Sequence, residues 1–367
     1  MWLPLLAVGM AAVGVPRRGA LLGAPTLRLM AGAAATRATS SAVEHELRHV
    51  DVAGVAVPVA IWRPARPDSA APPAVYPYRI DIGKIAARLR VGWLAWLPRF
   101  QYDLPCGAAE ASDGRRARDG DAILFAHGFL GSVYDFAHAA EALAADGFVV
   151  AAPELPESLS ASYVAAEGMS REQIVAATRA LVAPSSRWGI FGHSAGAATS
   201  LLQPGRYELG RAALAGGTRL LSDRSRPRDP VFLCSSNGDG CMRFFAPGVV
   251  DLRPTLVGGG AASGGTLHLF ERLEDAYAVP SRPPPVAAFV FAEDNTPLPL
   301  PCHISFLWRE VNDAMCSLLG PLLPLARALG LFVLDFDVYL KTRDADKTAA
   351  QVVPALRRFF LASSSTT

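Results

Sequence analysis

Short apolar runs alternate with segments of helical periodicity over the last two thirds of the chain. The apolar runs are almost continuous, as expected for parallel strands that are covered on both faces. The alternation predicts βαβ units and an α/β fold with a mostly parallel central sheet and helices on both faces. The predicted strands are Ala122–Ala126, Phe148–Ala151, Trp188–Phe191, Ala212–Ala215, Val231–Ser235 and Val286–Phe291, and the predicted helices are Tyr134–Asp146, Ser170–Leu181 and Ala195–Leu202.

The first third of the chain has a different pattern. His49–Trp62 alternates apolar and polar residues around Gly54, which is typical of a hairpin of two strands. The Pro- and Ala-rich stretch Arg63–Tyr78 and the charged, glycine-punctuated stretch Gly107–Gly120 are predicted loops. Lys84–Leu97 has apolar residues at helical spacing with basic residues between them, which predicts a short amphipathic helix with a basic flank.

Residues 1–43 are predicted to be a removable targeting segment. The apolar run Trp2–Val15 is shorter than the roughly 20 residues that span a bilayer, and the acid-free, Arg- and Ser-containing stretch behind it is typical of an organelle transit peptide. This order favours a plastid, with a mitochondrion or the secretory pathway as alternatives and a structural N-terminal helix as the other interpretation. Residues 44–367 then form one domain, in which 44–120 contain the hairpin and the basic helix.

Composition and charge narrow the classes of function. Hydrophobic residues make up 51% of the 367 residues and charged residues 19%, which is typical of a globular chain with a core. The formal net charge is +2, and residues 1–43 contribute four arginines and no acid, so the remainder is slightly negative. Such a chain lacks the basic surplus that nucleic-acid binding needs, and we exclude this class.

The spacing of the cysteines and the motifs in the sequence give no indication of a cofactor. The five cysteines are widely spaced, and no CxxC pair is present. Free or buried thiols are therefore expected, with a Cys234–Cys241 bridge as the alternative in an oxidising compartment. The sequence contains no cluster with metal-ligand spacing and no phosphate-binding loop, so we expect neither a metal nor a cofactor.

Ser194 is the predicted nucleophile. It is the central residue of the GxSxG sequence Gly192–Gly196, which lies between a predicted strand and a predicted helix. This context is that of a nucleophile elbow, a sharp turn that exposes the serine hydroxyl. Gly192 and Gly196 leave room for the strained backbone, and His193 is expected to point into the flank of the elbow rather than to act as a base.

His127-Gly128-Phe129 follows the strand Ala122–Ala126 and predicts an oxyanion-hole loop. In an enzyme with a nucleophile elbow, one backbone donor comes from such a loop and the other from the residue after the nucleophile. The donors are therefore predicted to be the N–H groups of Phe129 and Ala195. Gly128 supports the loop, and His127 is expected to fix it through hydrogen bonds.

A serine hydroxyl needs a base, and His303 is the predicted one. With the chain order Ser, acid, His, only His268 and His303 follow the nucleophile. His303 comes after the last predicted strand, where the base is expected. His268 lies instead in a stretch that resembles an insertion, between a glycine cluster and an acidic run.

Asp239 is the predicted acid that orients His303. It follows the strand Val231–Ser235 on a glycine-flanked turn that can curl back towards the histidine. The same Asn-Gly-Asp-Gly sequence is also ordinary turn chemistry, which leaves a purely structural role open. Glu293 and Asp294 lie close before His303, but an acid on the same short loop would have difficulty reaching the far ring nitrogen.

From about Trp62 onward the chain resembles the α/β-hydrolase superfamily, in the branch of platelet-activating-factor acetylhydrolases and plant and algal chlorophyllases. Leu124–Phe129 and Ala152–Leu155 are closer to chlorophyllases, whereas Ser158–Tyr163 is closer to the acetylhydrolases. The elbow Gly192–Gly196 is common to the branch. The resemblance implies the α/β-hydrolase fold and an ester hydrolase for a hydrophobic, lipid-like ester, with the phytyl ester of chlorophyll as the alternative substrate.

Two positions depart from the pattern of this branch. Both relatives carry Gly-Gly where this chain has Gly196-Ala197, and both place their acid directly after the strand that follows the nucleophile helix. Here that position reads Leu214–Thr218 and holds no carboxylate. The acid of the family therefore does not carry over, and its role moves to Asp239 or is missing.

Four further expectations remain open. The fold could serve as a non-catalytic binding module, or an alcohol could replace water in an acyltransferase. Trp93 and Trp96 on the basic helix have the composition of an interfacial anchor and predict peripheral membrane contact. Ser317–Leu334 is rich in Leu and Pro and could form the wall of an acyl pocket.

Overall fold

The structure is a computed structural model. It describes residues 26–29, 42–65, 73–88, 98–110, 120–182, 187–216, 228–241, 267–269, 272–275, 286–292, 300–322 and 344–365, together with the single positions 324 and 328.

The described strands form one sheet, and the described helices surround it. The strands are β1 (Thr26–Leu29), β2 (Val43–Val52), β3 (Val55–Pro64), β4 (Pro73–Asp81), β5 (Arg99–Glu110), β6 (Ala122–Ala126), β7 (Val149–Pro153), β8 (Trp188–His193), β9 (Gly210–Leu214), β10 (Val231–Ser236), β11 (Leu267–Leu269) and β12 (Val286–Phe291). The α-helices are α1 (Ile82–Arg88), α2 (Ala137–Ala145), α3 (Arg171–Val182), α4 (Ala195–Leu202), α5 (Arg309–Leu319) and α6 (Ala345–Ser364), and short 3₁₀ turns cover Leu273–Asp275, His303–Phe306 and Gly320–Leu322.

The strand order is β1-β5-β2-β3-β7-β6-β8-β9-β10-β12-β11, with β4 paired to β5. The hairpin β2–β3 is antiparallel, as is the β3–β7 pair, and every pair from β7 to β11 is parallel. This order, with a strand-to-helix elbow after β8, is that of the α/β-hydrolase fold. The predicted fold class is therefore confirmed, with all six predicted parallel strands and all three predicted helices present.

The central strands are buried on both faces, which explains their continuous apolar sequences. In β6, Ile123 and Phe125 belong to a core on one side of the sheet, whereas Leu124 and its alanine neighbours belong to a core on the other. Both faces of β6 need cover by helices, since all its residues are buried. The polar side chains of a site can then emerge only where the strands end.

Two predicted loops are partly wrong. Arg63–Tyr78 was expected to be a loop, yet β3 continues to Pro64 and β4 begins at Pro73, and β5 covers the start of the predicted loop Gly107–Gly120. In β4 the buried Tyr76 and Tyr78 alternate with less buried residues, so a period of two is present beneath the proline-rich composition. β4 pairs with β5 alone among the described strands, and prolines are tolerated in such a one-sided strand.

The basic helix is described only in its first part. α1 spans Ile82–Arg88, and Asp81 Oδ1 accepts a hydrogen bond of 3.0 Å from the N–H of Lys84 at its start. Trp93 and Trp96 lie outside the described residues. No helix in the described ranges is long and apolar enough to cross a bilayer.

Most of the predicted targeting segment 1–43 also lies outside the described residues. Within it, β1 lies parallel to the start of β5, with Thr26 opposite Arg99, and Val43 begins β2. The targeting role stays a prediction, and any truncation experiment has to take the pairing of β1 into account.

Candidate active site

The elbow at Ser194 has the strained geometry that its sequence predicts. Ser194 joins β8 to α4 with φ 58° and ψ −120°, a left-handed conformation that non-glycine residues rarely adopt. A Cβ atom on Gly192 would overlap the carbonyl oxygen of Gly196, and one on Gly196 would overlap that of Ala126. Both glycines are therefore required by close backbone approach, and the side chain of Ser194 is partly exposed at the carboxyl edge of the sheet.

The predicted oxyanion-hole loop packs directly against this elbow. A Cβ atom on Gly128 would lie 3.1 Å from Cβ of Ser194, so glycine permits the close contact. Among the described residues, the backbone N–H groups of Phe129 and Ala195 donate no hydrogen bond. The N–H of Ala195 also belongs to the first turn of α4, where the helix dipole favours negative charge. The structure thus leaves both predicted donors available to an oxyanion.

His127 fixes the oxyanion-hole loop. Its Nδ1 donates to the carbonyl oxygen of Gly128 over 2.8 Å, and its Nε2 accepts the N–H of Leu155 over 2.8 Å. One ring nitrogen donates and the other accepts, so the ring is neutral. Burial, together with the charge of Arg171, lowers the pKa of His127 to about 3. These contacts give His127 the structural role that the sequence suggests.

His303 and Asp239 form a buried pair. His303 Nδ1 donates to Asp239 Oδ2 over 2.9 Å, and the Asp239 side chain is completely buried. Burial by itself would lower the pKa of His303, but the charge of Asp239, the neighbouring Cys241 and the hydrogen bonds to both raise it, and together they hold the pKa of His303 well above its ordinary value. The acid and the base that the sequence predicts are thus brought together.

A tight turn after β10 presents Asp239 to the histidine. The N–H of Asn237 donates to Phe291 O over 2.9 Å, which ties the turn to the end of β12, and the N–H of Asp239 donates to Ser236 O over 3.1 Å. Gly238 packs so closely on the stretch before His303 that a Cβ atom there would lie 2.8 Å from the carbonyl oxygen of Pro301. The turn therefore places the carboxylate of Asp239 in contact with the ring of His303.

The alternative residues are placed differently. His268 lies in β11 opposite Ala287, near the start of β12, whereas His303 follows the end of β12. The backbone of His268 therefore lies towards the amino ends of the parallel strands, whereas the elbow lies at their carboxyl ends. Glu293 and Asp294 lie outside the described residues.

His193 links the elbow to the base. Its Nε2 donates to the carbonyl oxygen of His303 over 3.0 Å, and the two ring centroids are 4.6 Å apart. Burial, followed by the charge of His303, lowers the pKa of His193 well below its ordinary value, so the ring stays neutral. His193 lies in the flank of the elbow, as predicted, but its bond to the base loop had no signal in the sequence.

The backbone after β9 leaves no room for an acid at position 216. Ala215 adopts φ 51°, and a Cβ atom on Gly216 would lie 2.7 Å from the carbonyl oxygen of Ser194. The chain after β9 thus runs against the elbow itself, and a carboxylate side chain at position 216 has no room. The turn after β10 is the place from which Asp239 reaches His303.

Cys241 is the site residue that sequence reasoning missed. All five cysteines are buried and none forms a disulfide, so the alternative of a Cys234–Cys241 bridge is wrong. The Sγ atom of Cys241 lies within 4.8 Å of a ring nitrogen of His303 and a carboxylate oxygen of Asp239. Its position two residues after the acid is the only sequence signal that could have found it.

A buried carboxyl group lies behind the oxyanion-hole loop. Glu154 accepts a hydrogen bond of 2.6 Å from Ser158 Oγ, and its Oε2 lies 3.6 Å from His127 Nε2. Burial raises the pKa of Glu154 to about 7, although the hydrogen bond from Ser158 opposes the shift. The motif residues Glu154 and Ser158 thus support the loop from behind.

Comparison with known proteins gives structural likeness alone. No protein family and no curated protein matches the chain. A ferulic acid esterase from Streptomyces cinnamoneus is 21% identical, with 57% of this chain and 68% of that chain covered and a TM-score of 0.30. A serine α/β-hydrolase without a lid from Xanthomonas campestris is 15% identical, with 77% and 95% covered and a TM-score of 0.38. A cold-adapted esterase from an Arctic intertidal metagenomic library is 13% identical, with 53% and 74% covered and a TM-score of 0.31.

Proposed function

We propose that the protein is a serine hydrolase that cleaves carboxylic esters through an acyl-enzyme on Ser194. The observation that carries the proposal is the 2.9 Å hydrogen bond between His303 Nδ1 and buried Asp239, formed beside a strained elbow that exposes a serine. A buried carboxylate after β10, a histidine after β12 and a partly exposed serine after β8 are the parts of a nucleophilic triad. A binding module would have no use for this arrangement.

In the acylation step, Ser194 Oγ attacks the ester carbonyl carbon while His303 Nε2 accepts the hydroxyl proton. Asp239 holds the ring through Nδ1–H and stabilises the imidazolium that forms. The N–H groups of Phe129 and Ala195 stabilise the oxyanion. As the tetrahedral intermediate collapses, the C–O bond to the alcohol breaks, and His303 returns the proton to the leaving alkoxide.

In the deacylation step, a water molecule takes the place of the alcohol. His303 Nε2 accepts a proton from the water as its oxygen attacks the acyl carbon, and the proton then returns to Ser194 Oγ as the carboxylic acid leaves. An acyltransferase would use an alcohol at this point. Hydrolysis is the proposal because water needs no binding site of its own.

A hydrophobic, lipid-like ester is the proposed substrate. The Phe129 side chain is 45% exposed although its backbone belongs to the oxyanion-hole loop, so an apolar ring borders the place where the ester would lie. The resemblance to acetylhydrolases and chlorophyllases supports the same class. The chlorophyllase-like stretches Leu124–Phe129 and Ala152–Leu155 support the phytyl ester of chlorophyll as the second candidate.

Contact with a membrane surface and delivery to an organelle, with a plastid first, complete the proposal. The basic residues of Lys84–Leu97 and the tryptophans Trp93 and Trp96 support peripheral binding. Vesicle co-sedimentation of the wild type against a Trp93→Ala, Trp96→Ala double variant tests this membrane contact, and equal sedimentation would refute it.

The acid-free composition of residues 1–43 supports delivery to an organelle. A fluorescent fusion to residues 1–43 that stays outside organelles would refute this delivery.

An ester panel tests the proposed activity. Short-acyl p-nitrophenyl esters, a phospholipid, a triacylglycerol and chlorophyll are offered to the wild type, to Ser194→Ala and to the exposed-loop control Ser162→Ala. The full chain is compared with versions that begin at residue 25 and at residue 44, because β1 pairs with β5. We expect turnover of lipid esters that Ser194→Ala loses and Ser162→Ala keeps. Turnover of soluble short esters alone would refute the lipid substrate, and no turnover of any ester would refute the hydrolase.

A further inference from the structure

The proposed base His303 and two neighbouring side chains bring three different donor atoms together. A carboxylate oxygen of Asp239, the Sγ atom of Cys241 and a ring nitrogen of His303 all lie within 4.8 Å of one another. All three side chains belong to buried residues, with Asp239 at 0%, Cys241 at 7% and His303 at 8% exposure. The proposed ester hydrolysis uses the carboxylate and the imidazole, but it has no role for the thiol.

We propose that Asp239, Cys241 and His303 form an inhibitory Zn²⁺ site, with water as the fourth ligand. The inhibitory consequence rests on the proposed function, whereas the site itself does not.

The donor set selects zinc among common divalent ions. Sulfur, nitrogen and oxygen donors at about 2.3, 2.0–2.1 and 2.0–2.2 Å are the ligands of protein zinc sites. Mg²⁺ and Ca²⁺ prefer oxygen donors throughout, so a set with a thiol and an imidazole disfavours both.

The distances also suit a tetrahedral ion. Tetrahedral coordination places neighbouring donor atoms about 3.3–3.6 Å apart. The Nδ1–Oδ2 distance is 2.9 Å and would open slightly, while the thiol, now within 4.8 Å, would close in. Both changes are within the reach of side-chain rotation.

Zinc at this site would remove the base from catalysis. If His303 binds the ion through Nδ1, its one proton resides on Nε2, and that nitrogen can no longer accept the proton of Ser194. If His303 binds through Nε2, the lone pair that the reaction needs is already used. Cys241 loses its thiol proton to solvent as the ion binds. In either case Ser194 is not activated, and substrate binding itself need not change.

Equilibrium dialysis of the tag-free full chain against Zn²⁺ tests the site without any need for activity. We expect one zinc per chain for the wild type and also for Ser194→Ala, which keeps all three ligands. Removal of a ligand should weaken binding by at least about 100-fold in Cys241→Ala, since loss of mere outer-shell partners already costs 10–100-fold. Cys316→Ala removes a thiol of similar burial, 6% exposed and outside any disulfide, and should bind zinc as the wild type does.

Inhibition is measured on the same proteins, each relative to its own zinc-free rate of ester hydrolysis. Cys241→Ser serves as a second variant should Cys241→Ala fail to fold. Zinc should inhibit the wild type and Cys316→Ala at concentrations at least about 100-fold lower than those that inhibit the Cys241 variants. Absence of stoichiometric zinc on the wild type, or equal zinc affinity in wild type and folded Cys241 variants, would overturn the site. Zinc bound through Cys241 without loss of activity would overturn the inhibitory role of the site. A chain without esterase activity would refute the proposed function, and the dialysis result would still decide whether the zinc site exists.

Discussion

His193 Nε2 donates a 3.0 Å hydrogen bond to the carbonyl oxygen of His303, so the residue before the nucleophile holds the loop that carries the base. The two residues are far apart in sequence, and the bond joins the end of β8 to the 3₁₀ turn His303–Phe306. The elbow therefore positions Ser194 and His303 together. His193 acts through the backbone of His303 and is a positioning residue.

Replacement of His193 should lower turnover without removing the chemistry. His193→Ala is expected to reduce kcat by up to about 100-fold with little change in KM, because a displacement of about 1 Å at the base costs this much. His193→Gln retains an N–H donor and should recover part of the loss. Steady-state kinetics on an ester substrate measure the split, with the exposed His49→Ala as control. A change in KM alone, or equal losses in the Ala and Gln variants, would contradict the positioning role.

Replacement of Asp239 should be far more costly. Asp239→Asn keeps the size of the side chain but removes the charge that stabilises the imidazolium and the acceptor that fixes the tautomer of His303. By analogy with the serine-protease example, we expect a loss on the order of 10⁴ in kcat. The comparison variant is Asp294→Asn, which should cost far less. The reverse ranking would transfer the acid role to Asp294, and small equal losses would indicate a Ser–His dyad.

The pH dependence of activity should report on His303. Only the neutral imidazole accepts the proton of Ser194, and Asp239 raises the pKa of His303 above its ordinary 6.5. Activity therefore appears as the pH rises through this raised pKa, and the acidic limb of kcat/KM is expected to have its midpoint above pH 6.5. In Asp239→Asn the opposing effect of burial remains, so the midpoint should move to lower pH. A midpoint below 6.5 in the wild type would contradict the ion pair.

The stability of the fold should fall in acid partly because of His45. This side chain is 7% exposed, packs on Tyr76 and Trp62, and has its pKa lowered by burial to about 3. Between pH 6.5 and 3 the unfolded chain binds a proton at this position and the folded chain does not, so stability is lost as the pH falls through this window.

His45→Phe keeps an aromatic ring in the cluster and removes the titration. The free energy of unfolding, measured in urea at several pH values, should then lose about 1.4 kcal/mol less per pH unit within the window. The slope should not vanish, since the buried His127 and His193 contribute with the same sign. His49→Phe, at an exposed position of the same strand, is the control for replacing a histidine by phenylalanine. Identical slopes in His45→Phe and the wild type would contradict the burial effect.

Most elements of the central sheet can be predicted from the sequence, because the patterns that indicate them are local. Continuous apolar strands such as Val286–Phe291 and the small residues around Ser194 reflect packing within a few residues. The prolines of β4 favour a loop in the sequence, whereas the one-sided pairing with β5 tolerates them in a strand. The alternation of buried and less buried residues along β4 is difficult to recognise in a proline-rich sequence, because it reflects pairing with a distant strand.

The site was predictable only where a motif or the chain order constrained it. Ser194 follows from the elbow, and His303 and Asp239 follow from their places after β12 and β10. The thiol of Cys241 and the bond from His193 depend on how two distant turns meet, and no spacing in one sequence encodes that. The same limit applies to the acid that the family resemblance would place after β9, because the obstruction is the backbone of the elbow.

Labelling of the full chain by a fluorophosphonate probe, mapped by peptide mass spectrometry, tests the central claim most directly. The probe phosphorylates an activated serine irrespective of the natural substrate. We expect a single label on Ser194, no label in Ser194→Ala with the fold intact by circular dichroism, and much slower labelling in Asp239→Asn. A label on another serine, or a Ser194→Ala variant that hydrolyses esters as the wild type does, would contradict the central claim.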